Sequence, residues 1–316
     1  MADLNGVRRG GSDADRGQLL LVGALSLAVL FVALALLLNT AIYTGNLATR
    51  EAGVEGTEAI EYTSASREGA VAAIESVNRR NDSSHATLSS ALRETMAAWD
   101  DTAAHHRAVN GDAANAAVVG TTNGTRIRQR EANRNFSSVG GAPDWTVVDG
   151  ATGIRSIRFE VNATRLKNGP TDSFRMNVSS AEGTRSLSLY NNSTDDPRAL
   201  IDGPEGTSVC PAGSVTGGTF AVDVANGSIG GASCSALTRL DDTSGTVTVE
   251  YDDGDVGGGA YSMVVNGTSS SLSLPGLASP GTDDPDWTDA LYGASIRISY
   301  RTPQLEYTTT VAVVPA

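Results

Sequence analysis

Apolar and polar positions change rhythm three times along this chain of 316 residues. Residues 19–38 are almost unbroken apolar, with only Gly23 and Ser26 interrupting the run. Twenty helical residues at ~1.5 Å each match the ~30 Å hydrocarbon core of a bilayer, so the run predicts a transmembrane helix over 18–38. Beyond it, residues 43–77 are rich in Ala and Glu and contain no proline, which predicts that the helix continues. Gly45, Gly53, Gly56 and Gly69 weaken it by ~1 kcal/mol each relative to Ala. Val71, Ile74 and Val77 recur at helical spacing, and a turn is expected at 78–84. Leu88, Leu92, Met96, Trp99 and Ala103 then form one apolar stripe of a second helix, expected to be buried against a sheet. Asn110-Gly111 marks its end.

From about Ala117 the period becomes two. Ile157, Phe159 and Val161 alternate with Arg158, Glu160 and Asn162. The pattern returns at Phe174/Met176/Val178, Leu187/Leu189, Phe220/Val222/Val224, Val247/Val249/Tyr251, Ile296/Ile298/Tyr300 and Tyr307/Thr309/Val311. Separated by clusters of Gly, Asp, Asn and Ser, these segments predict an antiparallel sheet or sandwich with one packed face. No repeat at fixed spacing supports a solenoid or propeller. The predicted fold class is α+β. A leader at 1–17 precedes the transmembrane helix at 18–38, a helical stalk at 39–116 and an antiparallel β-rich, sandwich-like domain at 117–316.

Charge gives the helix a direction. Arg8, Arg9 and Arg16 precede the apolar run and only Arg50 follows closely, so the positive-inside rule places the N-terminus in the cytoplasm and the rest outside a single-pass cell-membrane protein. A cleaved secretory signal fits poorly, because the run exceeds the usual 7–15 residues and its one Ala-x-Ala, Ala33-Leu34-Ala35, lies inside it. Arg16-Gly17-Gln18 abutting the apolar run instead resembles a type IV pilin precursor, particularly the pilin-like proteins of haloarchaea. That resemblance implies that a prepilin peptidase cuts the Gly17-Gln18 bond and that the freed helix packs against other pilin-like subunits in a filament core. The match departs from many bacterial pilins, which carry glutamate at the fifth mature position, where this chain has Val22; subunit registration by that carboxylate is lost. An uncut signal anchor remains the alternative. At this length a minor, tip or accessory subunit suits the chain better than a major pilin.

The formal net charge is −13, from 23 basic and 36 acidic residues. Residues 1–40 carry three of each, so the whole imbalance lies after them, 20 against 33. One lysine, Lys167, and 5% aromatics complete a composition that looks like that of a salt-loving organism; strong screening relieves the repulsion between dense carboxylates. No basic stripe is apparent to neutralise phosphates, which disfavours nucleic acid as a partner. Nine sequons follow the apolar run, at Asn81, Asn123, Asn135, Asn162, Asn177, Asn191, Asn192, Asn226 and Asn266, where chance gives about three. They are candidate glycosylation sites, although Asn-Gly turns in a polar β-rich chain account for part of the excess.

Cys210 and Cys234 are the only cysteines. In an oxidising exterior they are expected to pair, for about 3–4 kcal/mol in the chain-entropy model. A zinc site is disfavoured, because no histidine lies between or after them. His105 and His106, adjacent at a predicted helix end, diverge by about 100° and read as helix-end residues rather than metal ligands. The acidic turns Asp252-Asp253-Gly254-Asp255 and Asp283-Asp284-Pro285-Asp286, with Asp289, offer oxygen ligands for calcium but lack the twelve-residue loop and read as solvated turns. Gly257-Gly258-Gly259 lacks phosphate-loop context, and no Gly-x-Ser-x-Gly elbow occurs. No enzymatic activity, cofactor or metal is expected. The sequence thus predicts a pilin-like, membrane-anchored surface protein with a structural or adhesive role; the alternative is a non-assembling, membrane-anchored binding domain.

Overall fold

The computed structural model describes residues 12–80, 82–193 and 196–315; the side chains of 12–24, 26 and 39–55 lie outside that description. Two helices come first, α1 (Ser12–Arg80) and α2 (His85–Ala108). The strands follow in chain order: β1 (Ala113–Gln129), β2 (Trp145–Ala151), β3 (Ile154–Asn162), β4 (Phe174–Ser180), β5 (Gly183–Asn191), β6 (Pro197–Asp202) and β7 (Ser208–Pro211). After these come β8 (Thr219–Asp223), β9 (Ser228–Ile229), β10 (Ala232–Ser233), β11 (Val247–Asp252), β12 (Gly259–Asn266), β13 (Asp286–Arg301) and β14 (Glu306–Val313). Two compact units divide the chain, Met1–Glu61 with Thr302–Leu305, and Tyr62–Arg301 with Glu306–Ala316.

The second unit is mostly sheet. Eight strands run in the order β10-β9-β8-β3-β12-β1-β13-β14 and six in the order β2-β11-β4-β5-β6-β7, with every strand pair antiparallel. Strand alternation sends Ile127, Ile157, Phe159, Val161, Tyr261 and Met263 of the larger sheet into one core with Phe174, Met176, Val178, Val249 and Tyr251 of the smaller. Phe136, from the β1–β2 connection, stands at its centre with ring centroids 4.5 Å from Phe174 and 5.6 Å from Phe159. Gly257 makes room for that cluster, since a Cβ there would lie 2.7 Å from the Phe174 Cβ and 2.9 Å from the Phe136 ring.

The opposite face of the larger sheet is covered by helices along β1 and β13. Ala116, Ile296, Ile298 and Tyr300 are buried there, as are Leu88, Leu92 and Met96 of α2 and Ala70, Ile74 and Val77 of α1. Asp100 of α2 accepts hydrogen bonds from the Tyr62 hydroxyl (2.8 Å), the Asn115 amide (2.7 Å) and the Ala116 backbone N–H (2.7 Å), joining both helices to the start of β1. The stripe read from Leu88, Leu92 and Met96 therefore packs on the sheet, and Gly111, at φ +91°, ends the helical region.

Two expectations are corrected. The α+β arrangement of transmembrane helix, helical stalk and β-rich head gives way to a mostly β structure of two antiparallel sheets. From Tyr62 onward the helical residues form a layer on the larger sheet, because their apolar stripes are buried only by lying flat on it. Among the described residues no helix is long and apolar enough to cross a membrane. The single-pass membrane localisation, with cytoplasmic N-terminus and extracellular C-terminal domain, is accordingly not supported.

Candidate functional site

The helical layer leaves the β3–β12–β1 part of the larger sheet uncovered, and there a cleft of about 520 Å³ opens beside the end of α1. Its floor follows from strand alternation. Tyr261, Met263 and Val265 of β12 point into the inter-sheet core, so Ala260, Ser262 and Val264 face the cleft. In the same way Arg126 and Arg128 alternate with Ile127 and Gln129 on β1, with Arg130 just past its end, and Arg158 and Glu160 alternate with Ile157, Phe159 and Val161 on β3. Arg155, Arg79 and Glu75 complete the charged lining.

Most of these guanidinium groups are paired within the chain. Arg128 grips Asp82 through Nη1 (2.8 Å) and Nη2 (2.9 Å) and donates from Nε to Asp286 (3.0 Å). Arg126 also donates to Asp82 (2.7 Å) and to the Asn78 carbonyl. Arg130 donates to both Asp284 and Asp286, each at 3.0 Å. At the rim, Arg158 pairs with Asp223 (2.9 Å) and Arg79 with Glu75 (3.2 Å). The Asp82 carboxyl is held below its ordinary pKa by the hydrogen bonds from Arg128, with the charges of Arg128 and Arg126 adding to them. Burial, and then the neighbouring Arg128 charge, push Arg126 down. Arg128 is also opposed by burial, but its bonds to Asp82 and Asp286 leave its pKa raised.

Arg155 differs from the others. It is 3% exposed and has no carboxylate within ion-pair distance among the described residues. It donates from Nε to the Tyr292 carbonyl (2.9 Å), from Nη2 to the Leu291 carbonyl (2.7 Å) and from Nη1 to Ser156 Oγ (2.7 Å). Its guanidinium lies 5.4 Å from the Tyr292 ring centroid, within cation–π range. Burial pushes its pKa down to about 10, which leaves it charged at neutral pH. A bulge creates this socket: the β1–β13 register passes from Thr122/Gly293 to Asn123/Leu291, leaving Tyr292 without a strand partner. Asn78, buried at the end of α1, donates its amide to the Leu291 carbonyl and accepts from the Leu291 N–H, both at 2.9 Å.

None of these arginines was singled out by sequence. The usable signal was the alternation Arg126-Ile127-Arg128-Gln129-Arg130, a basic face on a strand. The turn at Asp283-Asp284-Pro285-Asp286, expected to be solvated, contains Asp284 and Asp286 at 6% and 0% exposure, withdrawn from water onto Arg128 and Arg130. Among the described residues no group of three or more His, Cys, Asp or Glu is placed to hold a metal ion. His105 and His106 lie in the last turn of α2.

Cys210 and Cys234 form a disulfide. Cys210 is in β7, the edge of the smaller sheet, and Cys234 directly follows β10, the edge of the larger, so the bond ties two sheet edges together. The sequons scatter. Asn123, Asn192 and Asn226 are exposed, and Asn135 and Asn266 are half-buried. Asn162 caps a short turn by accepting from the Thr164 N–H, and Asn177 donates to Asp252 (2.8 Å). Asn191 is buried with its amide nitrogen on the carbonyls of Ala163 and Leu166. Asn81 lies outside the described residues, and Gly17 and Gln18 fall in α1 where side chains are likewise outside them.

The fold and cleft define a two-sheet β protein with a helical cover and an arginine-lined recess. Residues 13–165, a little under half of the chain, match a family of unknown function, DUF7261. No curated protein and no solved structure matches the chain.

Proposed function

We propose that the protein is a structural or adhesive subunit of the pilin-like kind, assembling with other copies through α1. The observation that carries this reading is the exposure of Leu25, Leu27, Val29, Leu30, Phe31, Val32, Leu34, Leu36, Leu37 and Leu38, each between 53% and 70%. Successive helix residues diverge by about 100°, so this section is apolar on every side. Covering each such side chain is worth ~1.5–3 kcal/mol, and a contiguous apolar surface of this extent marks an interaction site. A bundle of the same helix from several copies covers all sides at once. Arg16-Gly17-Gln18 just before the run supports processing by a prepilin peptidase, and with Val22 in place of a glutamate, register between copies rests on side-chain packing.

The test replaces Leu30 by cysteine. Cys210 and Cys234 are already bonded to each other and no other cysteine occurs, so the new thiol reports on helix contact alone. Assembly predicts oxidative cross-linking between copies and a mature chain whose mass begins at Gln18, with Leu30→Asp removing multimers while the sheets stay folded. Monomers with an uncut N-terminus, in cells that process authentic pilins, would overturn the proposal and leave a non-assembling binding domain, the reading that the arginine-lined cleft favours.

A further inference from the structure

We infer that the arginine-lined cleft is a binding site for a singly charged, hydroxyl-bearing carboxylate, of which a uronic acid is the chemical type. The inference is independent of assembly, since every lining residue lies in the unit that begins at Tyr62. Three observations carry it. First, Arg155, 3% exposed, gives its hydrogen bonds to carbonyl and hydroxyl oxygens with no carboxylate at ion-pair distance among the described residues, and the Nε of Arg126 is buried with no acceptor. Buried guanidinium groups left without a carboxylate or with an idle N–H are unfavourable unless something fills the deficit. An incoming carboxylate is the natural match for a guanidinium fork.

Second, the cleft also contains Glu160, which is exposed and makes no ion pair among the described residues, and Glu75. These carboxylates repel a polyanion or a dianionic phosphate but accept hydrogen bonds from hydroxyl groups. Group by group, the guanidinium without a carboxylate suits a ligand carboxylate, and the unpaired glutamate suits ligand hydroxyls. Third, the floor is made of small side chains, with the Ser262 hydroxyl free of hydrogen bonds among the described residues. The volume of about 520 Å³ lies in the range of small-molecule sites.

The test titrates the full chain with glucuronate, glucose and inorganic phosphate by calorimetry, in the molar salt that its acidity suits. Glucuronate should bind saturably, with glucose and phosphate each weaker by roughly tenfold or more. Arg158→Ala, at a side chain 54% exposed, should weaken glucuronate by roughly tenfold. Ala260→Trp should abolish binding by filling the cleft, with unchanged circular dichroism in both variants. Leu30→Asp should leave binding as it is, so this test fails or succeeds separately from the assembly experiment. Absence of saturable glucuronate binding at tens of millimolar, equal binding of glucose, tighter binding of phosphate, or full binding by a folded Ala260→Trp variant would each overturn the inference.

Discussion

Asp100 accepts from three donors while almost withdrawn from water. Asp100→Asn keeps the shape but turns one oxygen into a donor facing donors. Hydrogen bonds to charged groups are worth ~1.5–3 kcal/mol, so the variant should lose roughly that much stability in urea denaturation. A loss below ~0.5 kcal/mol would show that the helices are held to β1 by apolar packing alone. Asp82 gives a pH prediction. Its pKa is depressed by Arg128, so its stabilising contribution is fully present above the unfolded value of about 3.9 and disappears as pH falls through the folded value. Below about pH 4, Asp82→Asn should therefore be less acid-sensitive than the wild type, and parallel acid-unfolding curves would contradict this. At Asn191, whose amide nitrogen is committed to two carbonyls, glycopeptide mass analysis should find no glycan in the folded protein, unlike at exposed Asn123 or Asn226.

At the scale of elements, strands with a packed face were legible because burial alternates as the sequence does: Ile157, Phe159 and Val161 are all buried, and Arg158 and Glu160 exposed. The start of β1 was not. Ala113-Ala114-Asn115-Ala116-Ala117 has no alternation and favours helix by composition. Pairing with β13, Ala116 against Ile298, overrides that preference, and α2 lies close enough to β1 that alanine suits the contact. The cleft was illegible for another reason. The carboxylates that accompany its arginines are remote in sequence, Arg128 and Asp286 being 158 residues apart, and only sheet order brings them together. The disulfide could be expected from the cysteine count, but its role in joining two sheet edges required the topology. Reducing it should lower stability by about 3 kcal/mol. Thiol titration before and after reduction, with thermal melts of both forms, tests this; an unchanged melt would mean that the edges hold without it.

For the whole molecule, the charge of −13 dominates the response to solvent. Self-repulsion weakens as the screening length falls from ~10 Å at 0.1 M salt to ~3 Å at 1 M, so the melting temperature should rise over that range. The buried pair of Arg128 and Asp286 is shielded from the same ions, and its contribution should persist. A melting temperature that is flat or falling with salt would overturn the expectation of salt adaptation drawn from the composition.

The Cys210 and Cys234 bond also has a mechanical meaning. Under tension along the chain, sheets often yield from their edges, and here β7 and the end of β10 are bridged covalently. The 24-residue separation withholds about 80 Å of extensible chain, at ~3.3–3.6 Å per residue, until the sulfurs part. Pulled from its ends, the chain would thus lengthen less while the bond holds, and the two strand ends would stay together.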